Sequence, residues 1–496
     1  MATLAKRDSM EVTVDGLDTK LKSAQLSESS PKKRQLGLTD LPPSIRNNIY
    51  KYALDTELVN VGEANVSYKH TIKDGVLQFK SSRSPFLVQT ALFFVNKQIS
   101  KEALHYFYSK NLFVRFEMYS ADARHAKAML EDSGLLFSTA SPELLEQSKH
   151  HALELVLVEK NSSQKRATVM FPAQYLPRLI NFLDQASRTT SSWAPNHSLF
   201  LNIVNKYGFP VSRLQGDLLE LFRLLSNLGG ATVDSANLLP RYAEGLQTNL
   251  TAATWTADAW LKSVTDLADL ADSTREKEDY LTAVEYSQTV VIALTYGYLT
   301  HAETLHTQDE AFAKSVQRLR WRTELGLGIA LSLQFREYTS ANKSWLQNPS
   351  PDAQTIKAAR ELLLAESSLS RALSLATDAP SPASNPWFQS LPVELIPPNQ
   401  PTWFTGPEVA QTWFALGTVH AQLGENLFAA GDMERALGCY AESKDGEKDE
   451  EGRKRVEKAF GRIREGIDGE REEMWKGAVR PGGALERAGV LGRMEV

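Results

Sequence analysis

The sequence has almost no cysteine and no long apolar run. Its 496 residues contain one cysteine, Cys439, so no disulfide can form within the chain and a cysteine-based zinc site is excluded. No apolar run reaches the roughly 18 residues that a membrane-spanning helix needs. Residues 1–10 lack the apolar core of a signal peptide. We therefore expect a protein of the cytosol, the nucleus or both, without a membrane partner.

An excess of basic charge is also lacking. The net charge is −5, and no basic stripe of the kind that contacts a phosphate backbone is present, so we expect no nucleic-acid partner. The chain is too long for one hydrophobic core, and two or three domains are expected.

Motifs that carry chemistry are lacking as well. Gly326 and Gly328 are not followed by the third glycine of a dinucleotide loop, and His301 and Glu303 have no Cys-x-x-Cys partner for a deaminase zinc site. Neither a phosphate-binding loop nor a nucleophile elbow occurs. We interpret Cys439 as a structural thiol. The sequence therefore predicts no catalytic residue, no cofactor and no metal, which is typical of a non-enzymatic protein.

The first ordered region is expected after a polar tail. Residues 1–36 are rich in serine, lysine and aspartate, which is typical of disorder. The tail ends in Pro31-Lys32-Lys33-Arg34, either a short nuclear-import signal or a solvated charge run. A helix capped by Asp40 should follow, and a second helical run should open at Pro85, with Val95 and Ile99 on its apolar face.

The segment from Leu41 to Leu54 and the one from Val95 to Tyr108 resemble the two helices of an F-box-like module of the kind abundant in fungal proteins. The resemblance covers residues 39–118. It implies docking onto the Skp-type adaptor of an SCF ubiquitin ligase. Ser44 stands where a glutamate is usual, and the insert of about 30 residues between the helices is longer than in an ordinary F-box. The candidate adaptor-docking residues are Leu41, Pro42, Ile45, Ile49 and Leu54.

Residues 119–240 show a mixed pattern. Alternating apolar residues at 153–157 and 199–203 predict strands, and a third strand is expected at 231–233. Helical spacing at 176–183 and 214–225 separates them. This order predicts a small α/β or α+β layer.

Residues 241–445 favour helix throughout, apart from a proline-rich insert at 379–407 that we expect to be a poorly ordered or extended loop. The region resembles tetratricopeptide repeats, which pair two antiparallel helices in roughly 34 residues. Weaker units surround Ala283 and Ala341, and the spacings of the matched alanines (341 − 283 = 58, 436 − 341 = 95) indicate an irregular array. The best unit assigns Gly424 and Ala436 to the helix contact and Gly431 to the turn, and it comprises Leu423, Gly424, Gly431, Ala436 and Tyr440.

Residues 446–496 are rich in charge of both signs and keep apolar residues at helical spacing from Val456 to Met474, which predicts a final amphipathic helix and tail.

The fold class predicted is mostly α with a small α/β layer. Three functions stay open: a substrate receptor of an SCF ligase, a plain scaffold whose F-box-like helix is buried in its own core, and an enzyme that uses the α/β layer. Exposure of Leu41, Ile45 and Ile49 distinguishes the first two.

Overall fold

The computed structural model describes residues 37–341, 345–347, 350–377, 397–443 and 449–475. The expectations for the tail 1–36 and for residues 379–396 of the proline-rich insert lie outside these residues. Within them the chain is mostly helical with a small sheet, so the predicted fold class is confirmed.

The N-terminal module consists of two helices and a hairpin. Helix α1 (Pro43–Leu54) begins after Pro42, and helix α2 (Lys97–Asn111) is capped by the Asn96 side chain, which accepts a hydrogen bond from the Ile99 amide at 2.9 Å. The predicted cap at Asp40 is wrong, because Asp40 ends a 3-10 turn and its carboxylate accepts from the Gly37 amide instead. The hairpin of β1 (Tyr68–Lys73) and β2 (Val76–Ser81) occupies the insert between the helices.

A five-stranded mixed sheet follows, in the order β5-β3-β4-β6-β7. The strands predicted at 153–157, 199–203 and 231–233 are confirmed, and the edge strand β5 was not predicted. Strand β3 follows directly after α2 and pairs with both β4 and β5. The strands are β3 (Phe113–Tyr119), β4 (Leu153–Glu159), β5 (Lys165–Pro172), β6 (His197–Ile203) and β7 (Gly230–Val233).

Five helices accompany the sheet. Four of them pack apolar residues, such as Leu179, Ile180 and Leu183, into the same core as the buried strand residues. The buried Leu145 of the fifth, α4, belongs instead to the core of the N-terminal module. They are α3 (Ala123–Asp132), α4 (Pro142–Gln147), α5 (Leu176–Thr189), α6 (Val211–Leu218) and α7 (Tyr242–Thr251).

The second half is a row of helical hairpins. Consecutive helices pack against each other, and α8, α10 and α12 also contact one another in turn, so the hairpins stack. The helices are α8 (Ala257–Glu276), α9 (Tyr280–His306), α10 (Glu310–Ala341), α11 (Ala353–Thr377), α12 (Gly406–Gln422), α13 (Asn426–Glu442) and α14 (Glu450–Trp475). The predicted C-terminal helix is α14, and its Val456 and Ile463 pack against α12 and α13.

The sheet and the first helical hairpin share one core. Leu155 and Leu201 of the sheet belong to the same cluster of buried residues as Trp260, Val290 and Leu294 of α8 and α9. The predicted boundary between residues 240 and 241 therefore does not separate two cores.

The end of the proline-rich insert packs against the helical array. Trp403 and Phe404 are buried against the array, and the Gln317 side chain of α10 donates hydrogen bonds to the carbonyls of Pro397 and Pro398 at 3.1 and 2.9 Å. Proline carbonyls remain good acceptors although proline has no N–H to donate. The segment 397–405 is thus part of the packed structure, and α12 begins at Gly406.

Candidate protein-interaction surfaces

Helix α1 has a face that packs and a face that does not. The packed face carries Arg46, Tyr50 and Leu54, all buried. Arg46 forms a two-pronged ion pair with Glu102 of α2 at 2.7 and 2.8 Å, and the Tyr50 hydroxyl donates to the same carboxylate at 3.0 Å. Hydrogen bonding from Arg46 lowers the pKa of Glu102, and burial raises the pKa of Tyr50 to about 12. These contacts fix α1 against α2.

The side of α1 next to this packed face carries Ile45 and Ile49, and the predicted docking residues Leu41 and Pro42 directly precede the helix. Ile45 is 45% exposed, Pro42 is exposed, and Leu41 and Ile49 are half-buried. Leu54 is the exception: it is fully buried in the α1–α2 core and is unavailable for docking. The helix periodicity placed Leu54 near the predicted stripe. In the structure, however, the side of α1 that carries Tyr50 and Leu54 faces α2.

Two further apolar side chains are exposed where α2 begins. Phe94 is 84% exposed and Val95 is 56% exposed. Arg46 contacts Glu102 near the start of both helices, and the Asn111 side chain donates to the Leu54 carbonyl near the end of both, so the helices run parallel. Ile45 lies in the first turn of α1, and Phe94 and Val95 precede the start of α2.

The position predicted for Val95 from the sequence is wrong. Val95 was expected on the apolar core face with Ile99, but helix α2 starts only at Lys97 and Val95 precedes its cap. Phe94 was not singled out. The Phe93-Phe94 pair shortly before the Asn96 cap was the available signal, because adjacent side chains point in different directions, and only Phe93 packs against the α1–α2 core.

The best predicted repeat unit forms a helical hairpin, but in a different register. Leu423, Gly424 and the following Glu425 make the turn between α12 and α13, and Gly424 has a φ of 75°. Glycine adopts this left-handed conformation without the cost that a side chain incurs. The assignment of Gly424 to a helix contact is therefore wrong, and so is that of Gly431 to the turn, because Gly431 lies inside α13.

The close contact is made by Gly417 instead. A Cβ atom added there would lie 3.0 Å from the Met433 side chain and 3.1 Å from the Ala429 carbonyl. The spacing of Trp413, Leu416, Gly417 and Ala429 is typical of a tetratricopeptide repeat. Its Leu-Gly pair lies seven residues before the pair that was predicted (424 − 417 = 7). Of the other predicted residues, Ala436 is buried, and Tyr440 is half-buried and packs at the α13–α14 contact.

A charged cluster joins three helices beside this hairpin. His420 of α12 bonds through Nδ1 to Asp432 of α13 at 2.6 Å, and its Nε2 lies 3.6 Å from Glu366 of α11. Burial lowers the pKa of His420, but the bonds to the two carboxylates outweigh it and raise the pKa to about 9. A protonated imidazole therefore bridges two carboxylates at neutral pH.

The surroundings of Cys439 and His301 do not favour a role in chemistry. Burial raises the pKa of Cys439, so the thiolate that a nucleophile needs is disfavoured. His301 stacks on Trp255, and burial lowers its pKa to about 4. Over the described ranges, no group of three or more histidine, cysteine or acidic side chains is placed to hold a metal ion. In the same part of the chain, no helix combines the length and apolar character needed to cross a membrane.

Scans against models of known protein families, the curated proteins and the solved structures each found no match to this chain.

Proposed function

We propose that this chain is a non-catalytic protein-interaction protein of the cytosol or nucleus, and that it acts as a substrate receptor of an SCF-type ubiquitin ligase. The outward face of α1 docks the Skp-type adaptor, and the stacked hairpins of α8–α14 hold a client protein. One observation carries the proposal: Ile45 is exposed while the other side of α1 is fixed by Arg46 and Tyr50. A helix anchored on one side presents apolar side chains on the other without losing its position.

The neighbouring residues extend this surface. Phe94 and Val95 add exposed apolar area just before α2 begins. Large apolar side chains that cluster on a surface mark sites of protein association more often than isolated ones do. The proposed adaptor surface therefore comprises Leu41, Pro42, Ile45, Ile49, Phe94 and Val95.

The test is co-purification of the full chain with a Skp-type adaptor. The double change Ile45→Asp and Phe94→Asp should abolish co-purification and leave the melting temperature unchanged, because both side chains are exposed. Leu281→Asp, at an exposed leucine of α9, is the matched control and should retain the adaptor.

The second candidate function is a scaffold without a ubiquitin-ligase link. The burial of Tyr50 and Leu54 favours it, because α1 also contributes to the core of its own module. A wild-type chain that does not retain the adaptor, or a folded double variant that still does, would reject the receptor proposal and leave the scaffold.

A further inference from the structure

A small cleft lies beside the hairpin, next to the edge strand β5 of the five-stranded sheet. It lies between β2 and residues 138–142, and its volume is about 230 Å³. The Ser138 amide donates to the Met170 carbonyl at 2.8 Å, which fastens this segment to the edge strand β5. Ligand pockets for drug-sized molecules are roughly 300–1,000 Å³. This cleft therefore has room for one small group.

The lining of the cleft is rich in hydrogen-bond donors. Its polar side chains include hydroxyls, one amide and one ammonium group, and no carboxylate is among the lining residues. A set of donors with a single positive charge is complementary to an oxyanion. These donors include Thr71, Gln78, Lys80, Ser138, Thr139 and Thr168.

Thr168 of β5 gives the second observation. Its side chain is only 4% exposed, and its hydroxyl has no hydrogen-bond partner within the described part of the chain. Buried hydroxyls in native proteins are nearly always bonded, so an unbonded one in a cleft points to a ligand. The residue opposite it on β3 is Glu117, whose carboxylate is paired with Lys165 at 2.8 Å. That pairing limits the repulsion an anion would meet.

The hairpin adds positive charge at the mouth of the cleft. Lys69 and Lys80 are directly opposite each other on β1 and β2, so their side chains lie on the same face. Both are exposed. Like charges at opposite positions destabilise a strand pair. A bound anion would offset this repulsion.

We propose that this cleft binds a phosphoryl group, either as free phosphate or on a phosphorylated side chain. Lys80 supplies the charge, and the Thr168 hydroxyl donates to one phosphoryl oxygen at the closed end. The site does not involve α1, so it stands or falls independently of adaptor docking.

The test titrates the full chain, in a buffer free of phosphate and sulfate, with inorganic phosphate, O-phosphoserine and serine. The expected result is saturable binding of the phosphorylated compounds by calorimetry, with no binding of serine. Tighter binding of O-phosphoserine than of phosphate would assign the site to a phosphorylated side chain, and equal or weaker binding would assign it to free phosphate. Absence of saturable binding for both would overturn the proposal.

Three variants assign the binding to the cleft. Lys80→Gln and Thr168→Val should each weaken it at least about tenfold, whereas Thr168→Ser, which keeps the hydroxyl, should bind within about twofold of wild type. Lys97→Gln makes the same charge change at an exposed residue of α2 and should bind as wild type. Without ligand, Thr168→Val should melt at or above the wild-type temperature, because an unbonded buried hydroxyl is removed. Binding that survives Lys80→Gln would place the ligand elsewhere and reject the site.

Discussion

At the residue scale, glycines set how closely the helices of the array approach one another. Gly328 of α10 faces the buried side chain of Leu369 on α11, and a Cβ atom there would overlap it. Gly431 of α13 has open space where its Cβ would be. The two glycines therefore differ in packing while both lie inside helices.

We expect Gly328→Ala to lower the free energy of unfolding by about 1–3 kcal/mol, because the added methyl group overpacks the α10–α11 contact. Gly431→Ala should raise it by roughly 0.5–1 kcal/mol through better helix propensity alone. Denaturant unfolding of the two variants measures both signs. A stabilising Gly328→Ala would mean that the α10–α11 contact has room for an additional methyl group.

Histidine 420 is the residue whose charge state should matter for stability. Its pKa is about 9 in the folded chain, compared with an ordinary value of 6.5, so protonation favours the folded state. The stabilising contribution is fully present below pH 6.5 and is lost as the pH rises from 6.5 to about 9.

The expected effect is a difference between wild type and His420→Gln that is largest below pH 6.5, up to about 3 kcal/mol, and shrinks toward pH 9. Unfolding free energies across this pH range measure it. A constant difference for His420→Gln would mean that its imidazole is neutral in the fold.

At the element scale, α14 covers the end of the array. Its Val456 is buried beside Met433 and Ala436 of α13, whereas Lys458 is exposed. The two positions are two residues apart on one helix and therefore face different environments. The helix thus supplies the apolar cover that the last hairpin of a stacked array needs.

We expect Val456→Asp to destabilise the chain by about 2 kcal/mol or more, because an unpaired charge enters an apolar contact. Lys458→Asp should change stability by no more than about 0.5 kcal/mol. Thermal melts compare the two variants. Equal melting temperatures would show that α14 does not contribute to the folded array.

At the scale of the whole molecule, the sheet region and the helical array are joined by more than a linker. The Ser212 amide and hydroxyl of α6 bond to Glu285 and Gln288 of α9 at 2.8 and 2.9 Å, and Thr289 bonds to Gln215 at 2.9 Å. These contacts lie beside the shared apolar core. The first hairpin of the array is therefore completed by the sheet region.

We expect the fragment 241–496 to aggregate or to melt well below the full chain, because its α9 would expose Val290 and Leu294. Circular dichroism and light scattering of the fragment test this. A fragment that melts cooperatively at the full-chain temperature would restore the domain boundary at residue 240.

Local patterns were sufficient to predict many of the elements, although the β1–β2 hairpin and β5 were not predicted. Alternation of apolar residues located β4 and β6, and 3.6-residue spacing located α1, α5 and α14, because each pattern depends only on backbone geometry. The absence of motifs also led to the prediction of a non-enzymatic chain, which stays a prediction.

Contacts between distant residues decided the rest. Whether Leu54 or Ile45 faces α2 depends on the ion pair of Arg46 with Glu102, 56 residues away. The register of the α12–α13 hairpin depends on Gly424 taking the left-handed turn, which left Gly417 as the contact residue. The cleft beside β2 arises only when the hairpin meets residues 138–142. The sequence thus determined the helices and strands with a strong local pattern, because that choice is local, and the tertiary structure decided which faces stay exposed, because burial is settled by partners far along the chain.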